Sequence, residues 1–246
     1  MASLLVILTT DIRIVSMEGI LGIYALSYMA SVALTLFVFL LVINAFNLVD
    51  GIDGLAGVLA VMASASFGIL FILNGSASWV LISFALIGAL RGFLRFNLSK
   101  DNKVFMGDSG SLFIGFVLAF QAVGFLNLHI PDNGRYPLLN APVLALSILS
   151  FPLLDTLRVF VIRIWQGRSP FSADKNHIHH RLLELGLNHK QATLLIAGIN
   201  LLIIGLALCI RGLNINLQLL ILGMAGPAVC LLPCLLELSN KGKITI

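Results

Sequence analysis

ASVALTLFVFLLVINAFNLVDGIDGLAG, residues 30–57, carries the reading of the fold. Residues 30–49 form a nearly unbroken apolar run, matching the about 20 residues that a helix needs to cross a bilayer. The run does not alternate as a barrel strand would, so a helix is expected. It ends in Asn44, Asn47 and Asp50, which step by three and would share one drifting helical stripe. Beyond Gly51, Asp53 stands where it could cap a second helix. An Asp-Gly turn with a cap accounts for the aspartates. It does not account for two asparagines closing an apolar span, where an uncompensated amide is costly. Polar groups at such a place mark function.

The whole chain has the same character. Of its 246 residues, 59% are hydrophobic and 11% charged, against about 25% charged in soluble domains. Mean hydropathy is +1.04. A soluble fold needs a polar skin that this composition lacks, and the apolar content excludes disorder. The expected fold is all-α, a polytopic membrane protein with about seven transmembrane helices in a single integral-membrane domain over residues 1–246. The spans read as 30–49, 53–73, 78–96, 111–128, 138–165, 191–210 and 214–237. Residues 1–9 are too short to span alone and resemble a helix end or a shallow segment.

Charge sets the orientation. The loops around 48–52, 97–110 and 166–190 and the tail, with adjoining helix ends, hold twelve of the fifteen Lys and Arg residues. Arg13, Arg135 and Arg211 fall on the other side. This split places the basic loops in the cytoplasm. The net charge of +4 is spread over short loops and is no nucleic-acid signal. Cys209, Cys230 and Cys234 lie in apolar runs and read as small core residues. No cleavable signal peptide is evident.

Two further motifs fall on the cytoplasmic side. In KDNKVFMGDSGSLFIG, residues 100–115, Asp108 stands among glycines and serines directly before a span. Free N–H groups at that helix start suit a phosphate, and one carboxylate beside them suits Mg²⁺, which takes few protein oxygens. An ordinary Asp/Ser cap is the competing reading. PFSADKNHIHHRLLELGL, residues 170–187, carries His177, His179 and His180. His177 and His180 would share a helix face, with His179 turned elsewhere. Asp174 could cap this helix and Gly186 end it, and Asn188 with Gln191 resembles a capping box for the next span. Three histidines within four residues, with no cysteine near, converge poorly on a tetrahedral zinc. The surrounding Arg163, Arg168, Lys175 and Arg181 suit an anionic substrate better. Asp155, three residues before Arg158, reads as half of a buried i, i+3 ion pair.

NAFNLVDGIDGLAG, KVFMGDSGSLFIG and PFSADKNHIHHRLLELG, in this order, resemble the polyprenyl-phosphate N-acetylhexosamine-1-phosphate transferases of glycosyltransferase family 4. The branch that loads GlcNAc-1-phosphate onto undecaprenyl phosphate is the nearest in pattern, because of HIHH after PFSAD. That family carries an Asp-Asp pair in its N-terminal third, and this sequence has none. The expectation is therefore a chain that lacks the family's first spans.

The resemblance implies transfer of an N-acetylhexosamine 1-phosphate from a UDP-sugar to polyprenyl phosphate, releasing UMP, at a bacterial inner membrane. It implies a catalytic set of Asp50, Asp53 and Asp108, with Mg²⁺ (or Mn²⁺) on Asp108 and Asn47. Asn44, Asn47, Phe105, His177, His179 and His180 would bind substrate, Phe105 by stacking on uracil. Partners would be the UDP-N-acetylhexosamine, the polyprenyl phosphate and membrane lipid, with no nucleic acid and with room for a homodimer. A lipid phosphate is largely dianionic at neutral pH, so a general base is optional. Two other readings stand beside this one: an inactive remnant of the family, and a transporter with aspartate ion sites.

Overall fold

A computed structural model of the chain describes residues 2–128, 140–169 and 177–241, with side chains as far as residue 228. Asp174, Lys175 and Arg135 of the sequence reading, and the side chains of Cys230 and Cys234, lie outside the described residues. The order is α1 (Ala2–Thr10), β1 (Ser16–Ile20), β2 (Ile23–Ala25), α2 (Tyr28–Val49), α3 (Leu55–Leu73), α4 (Ala77–Asn97), α5 (Gly107–Leu126), α6 (Ala141–Ile148), α7 (Ser150–Trp165), α8 (Ile178–Glu184), α9 (His189–Cys209) and α10 (Ile215–Lys241). The protein is all-α and polytopic. Among the described residues α2, α3, α4, α5 and α9 are each long and apolar enough to cross a membrane.

The helix ends follow local chemistry. Ser27 Oγ accepts from Ala30 N at the start of α2, and Asn188 with Gln191 forms the expected capping box of α9. Gly186, at φ +89°, follows the end of α8. Many large apolar side chains, among them Phe37, Leu81, Phe113 and Leu202, face outward. In a bilayer such side chains face lipid, and helices associate through close packing rather than through the hydrophobic effect. Gly115 serves that packing. A Cβ there would lie 2.7 Å from the Cα of Ile43, so glycine lets α5 approach the backbone of α2. Phe67, Phe71, Phe125 and Trp79 join α3, α4 and α5 through ring contacts. Gln121 Nε2 donates to Ser64 Oγ at 3.0 Å, and Ser64 Oγ donates to Ser83 O at 3.1 Å, within the same three helices.

Two expectations are corrected. The span expected over 138–165 is two helices, α6 and α7, meeting at Leu149 with a bend of 74°. The break frees backbone groups that lipid cannot satisfy. Asn200 on α9 answers them: its Oδ1 accepts from Phe151 N and Ser150 Oγ at 3.0 and 2.9 Å, and its Nδ2 donates to Ile148 O at 3.1 Å. Second, Cys209 is exposed at the end of α9 rather than in the core. Residues 16–25, to which the sequence assigned no element, form a hairpin at the end of the bundle away from the three motifs. It is tied down by Glu18 Oε2, which accepts from Ala141 N at 3.2 Å, and by Leu21 N, which donates to Asn216 Oδ1 at 2.8 Å. Burial raises the Glu18 carboxyl above its ordinary range, the Ala141 bond opposing this.

Candidate active site

The C-terminal ends of α2, α4 and α7 and the starts of α3, α5, α8 and α9 gather at one end of the bundle, and the three motifs meet there. Asn47, in the last turn of α2, donates from Nδ2 to Ser111 Oγ at 2.9 Å and to Asp108 Oδ1 at 3.3 Å. Asp108 sits in the first turn of α5. Residues 61 positions apart thus share one wall of the site. Asp50 follows α2 as its C-cap. Burial, with the nearby charges of Asp108 and Asp53, raises its carboxyl above the usual range. Among the described residues no Lys, Arg or His is bonded to Asp50 or Asp108.

Asp53 has a different environment. It does not cap α3: the N-cap is Gly54, at φ +80°, without a side-chain bond. Asp53 Oδ2 is instead engaged by Lys103 Nζ at 2.6 Å and His189 Nδ1 at 2.8 Å. Burial pulls Asp53 upward, but the bonds and charges of Lys103 and His189 outweigh it and leave the carboxyl below its ordinary value. The cap function passes to Asn97 at the end of α4. Its Oδ1 accepts from Gly54 N at 2.7 Å, and its Nδ2 donates to Val104 O at 2.9 Å. One buried amide therefore joins the aspartate turn to the loop that carries Lys103 and Phe105.

Phe105 is 72% exposed at the rim, with Lys103 Nζ 5.1 Å from its ring centroid. Asn44 is not brought into the cluster. It is exposed on α2, and its Nδ2 donates back to Leu40 O at 2.6 Å.

The histidine motif lies behind the aspartate turn. Asp155, on α7, is fully buried. Its Oδ2 lies 2.8 Å from His177 Nδ1, and its Oδ1 accepts from Ile178 N at 3.1 Å. Arg158 is the more distant partner at 3.5 Å, so the expected i, i+3 pair is the weaker half of a larger cluster. His177 is 4% exposed and His179 fully buried. His180, half-buried, lies with its ring centroid 4.3 Å from that of His179.

Asn97 and His189 were missed by sequence reasoning. Asn97 ends an apolar span as Asn44 and Asn47 do, and the same cost argument would have found it. His189 gave no such signal, since a histidine in the first turn of a helix is unremarkable until Asp53 is placed beside it.

The arrangement defines an integral-membrane protein whose polar chemistry is gathered at one end of the bundle, around two carboxylates with no basic partner among the described residues and a third held by Lys103 and His189. The chain belongs to glycosyl transferase family 4, whose family model matches residues 1–125. That stretch contains Asn47, Asp50, Asp53 and Asp108. The chain is 39% identical over 166 residues to the undecaprenyl-phosphate alpha-N-acetylglucosaminyl 1-phosphate transferase of Escherichia coli (strain K12), covering 66% of this chain and 43% of that protein. It is 40% identical over 165 residues to the protein of the same name from Yersinia pestis, with the same coverage of 66% and 43%. It is 43% identical over 119 residues to the decaprenyl-phosphate N-acetylglucosaminephosphotransferase of Mycolicibacterium smegmatis, covering 47% of this chain and 29% of that protein. The chain thus spans less than half the length of these relatives.

Proposed function

We propose that this protein transfers GlcNAc-1-phosphate from UDP-GlcNAc to undecaprenyl phosphate, releasing UMP, with its active site on the cytoplasmic face of a bacterial inner membrane. The contact of Asn47 with Asp108 carries the reading, because it joins two motifs of the family into one acidic site. The names of the relatives support a polyprenyl phosphate acceptor, undecaprenyl in one and decaprenyl in another, and N-acetylglucosamine as the sugar.

The donor set fits a hard divalent cation. Asp108 offers carboxylate oxygen, Asn47 an amide, and Asp50 a raised carboxyl with no basic partner among the described residues. Among the described residues no group of three His, Cys, Asp or Glu side chains is arranged to hold a metal, so phosphate and water oxygens would complete the shell. Asp108 and Asn47 would hold Mg²⁺, which would supply neutralisation of the diphosphate charge.

The protein's own residues then divide the work. An oxygen of the lipid phosphate attacks the β-phosphorus, and the bond to the α-phosphate oxygen breaks as UMP leaves. The nucleophile is already largely dianionic, so positioning dominates. Lys103 and His189 fix Asp53, and with it the turn that follows Asp50. Phe105 offers an exposed ring for uracil.

The acceptor needs an apolar path into the site. A groove of about 330 Å³ lies between α2, α6, α7, α9 and α10, lined among others by Phe37, Leu41, Leu154, Leu157 and Leu222. Its position beside α7, on the element that carries Asp155, suits a polyprenyl chain reaching toward the carboxylates. The test is transfer of label from radioactive UDP-GlcNAc to undecaprenyl phosphate by the purified protein in lipid. Label that remains water-soluble, with Mg²⁺ and both substrates present, overturns the reading.

A further inference from the structure

We propose that His179 is a positioning residue, a buried strut on which the Asp50–Asp53 turn rests, and that it does not touch the sugar. The inference rests on the transferase reading only for its activity measurements.

His179 is fully buried, and among the described residues neither of its ring nitrogens has a hydrogen-bond partner. A buried imidazole without partners is uncommon and calls for a reason. The reason lies across from it at Gly51. A Cβ built on Gly51 would overlap Nε2 of His179 and lie 2.8 Å from Cε1 and 3.1 Å from Cδ2. The ring therefore presses directly on the turn backbone between Asp50 and Asp53.

Gly51 is not in the left-handed region. Its backbone could accept alanine, and the three atoms that a Cβ there would meet first all belong to the imidazole. Behind the ring, α8 is anchored twice on Asp155, through His177 Nδ1 and through Ile178 N. The His177 ring lies nearly parallel to that of His179, with centroids 5.6 Å apart. The path from α7 to the carboxylates thus runs Asp155, His177 and α8, His179, Gly51. Burial, and after it the neighbouring His180, lowers His179 to about 4. At neutral pH the strut is uncharged and leaves the balance of charge in the site unaltered.

The position of Asp50 relative to Asp108 then depends on the thickness of one imidazole. The test is a cycle of Gly51→Ala, His179→Ala and the double variant in the full chain. Each is measured for thermal unfolding in detergent, for kcat, for KM toward UDP-GlcNAc and for the Mg²⁺ concentration at half-maximal rate. Gly51→Ala should lower kcat about tenfold or more and raise the Mg²⁺ requirement, with KM for UDP-GlcNAc within about twofold, as expected for two groups in direct contact. Adding His179→Ala removes the ring that the new methyl meets, so the double variant should recover in kcat and in unfolding temperature relative to Gly51→Ala alone. A sugar contact predicts the reverse: His179→Ala raises KM for UDP-GlcNAc, and the double variant is worse than either single. That result overturns the proposal. If the wild-type protein transfers no sugar phosphate, the transferase reading fails by itself and the unfolding cycle decides alone. Recovery in the double variant then supports the strut, and additive losses overturn it.

Discussion

Nδ1 of His177 lies 2.8 Å from Oδ2 of Asp155, across 22 residues of chain, with both side chains buried. The same carboxylate also receives the N–H of Ile178. Removing it orphans two donors at once. An orphaned buried donor costs about 1–3 kcal/mol, so Asp155→Ala should lower stability by about 2–5 kcal/mol. Asp155→Asn keeps one carbonyl oxygen and should lose less. Thermal unfolding in detergent measures both, and equal losses would count against the bonding role.

Asp108→Asn should abolish transfer at ordinary Mg²⁺ while helix content and membrane insertion persist. The change keeps an oxygen facing Asn47, and a helix-end contact is worth about 1 kcal/mol. Circular dichroism beside a transfer assay separates the two. Transfer near the wild-type rate would leave Asp108 with its structural contact to Asn47 alone.

Asp50 and Asp53 should respond oppositely to pH. The Asp50 carboxyl is raised by burial and by its acidic neighbours. Its contribution is present below the ordinary value of 3.8 and is lost as pH rises through the raised value. Ionised Asp50 therefore destabilises the metal-free protein at neutral pH, and Asp50→Asn in EDTA should raise the unfolding temperature there. Asp53 is net lowered, the bonds from Lys103 and His189 overcoming burial. Its contribution is present above 3.8 and is lost as pH falls through the lowered value. Asp53→Asn should lower the unfolding temperature at neutral pH and matter less in acid. Unfolding scans between about pH 3 and 8 read both signs.

Filling the apolar groove should weaken the acceptor alone. Leu154→Trp places a larger ring in the space of about 330 Å³. KM for undecaprenyl phosphate should rise several-fold while KM for UDP-GlcNAc holds, since the groove lies apart from Phe105 and His180. A short-chain polyprenyl phosphate should be less affected.

Topology is checked with single cysteines in a variant without Cys209, Cys230 and Cys234. A cysteine at Arg181 should be labelled from the cytoplasm and one at Leu21, on the hairpin, from outside. The reverse pattern would place the site where nucleotide sugars are absent.

Much of this was legible in the sequence because bilayer length and apolar continuity leave few alternatives. Helices α2, α3, α4, α5, α9 and α10 start and end close to the expected residues. The break at Leu149 was not legible: the run stays apolar through it, and the residue that satisfies its freed groups, Asn200, lies on another helix. The joining of Asn47 to Asp108 was expected only through the resemblance, for no spacing rule links residues 61 apart. Asp53 was misread as a cap because local rules favour that role, while Lys103 and His189, distant in sequence, supply stronger partners. The inward turn of His179 follows from the placement of α8 against Gly51, and helical periodicity carries no information about that.

Asn200 also constrains biogenesis. During synthesis α6 and α7 leave the ribosome before α9, as halves of 8 and 16 residues, each short for a bilayer. Until α9 follows, the groups that Asn200 serves, Ile148 O, Phe151 N and the Ser150 hydroxyl, lack that partner. The bent pair can settle at its final depth only once α9 has crossed. Insertion here is a joint event of three helices, and a ribosome stalled before Asn200 would leave the pair unfinished at the membrane.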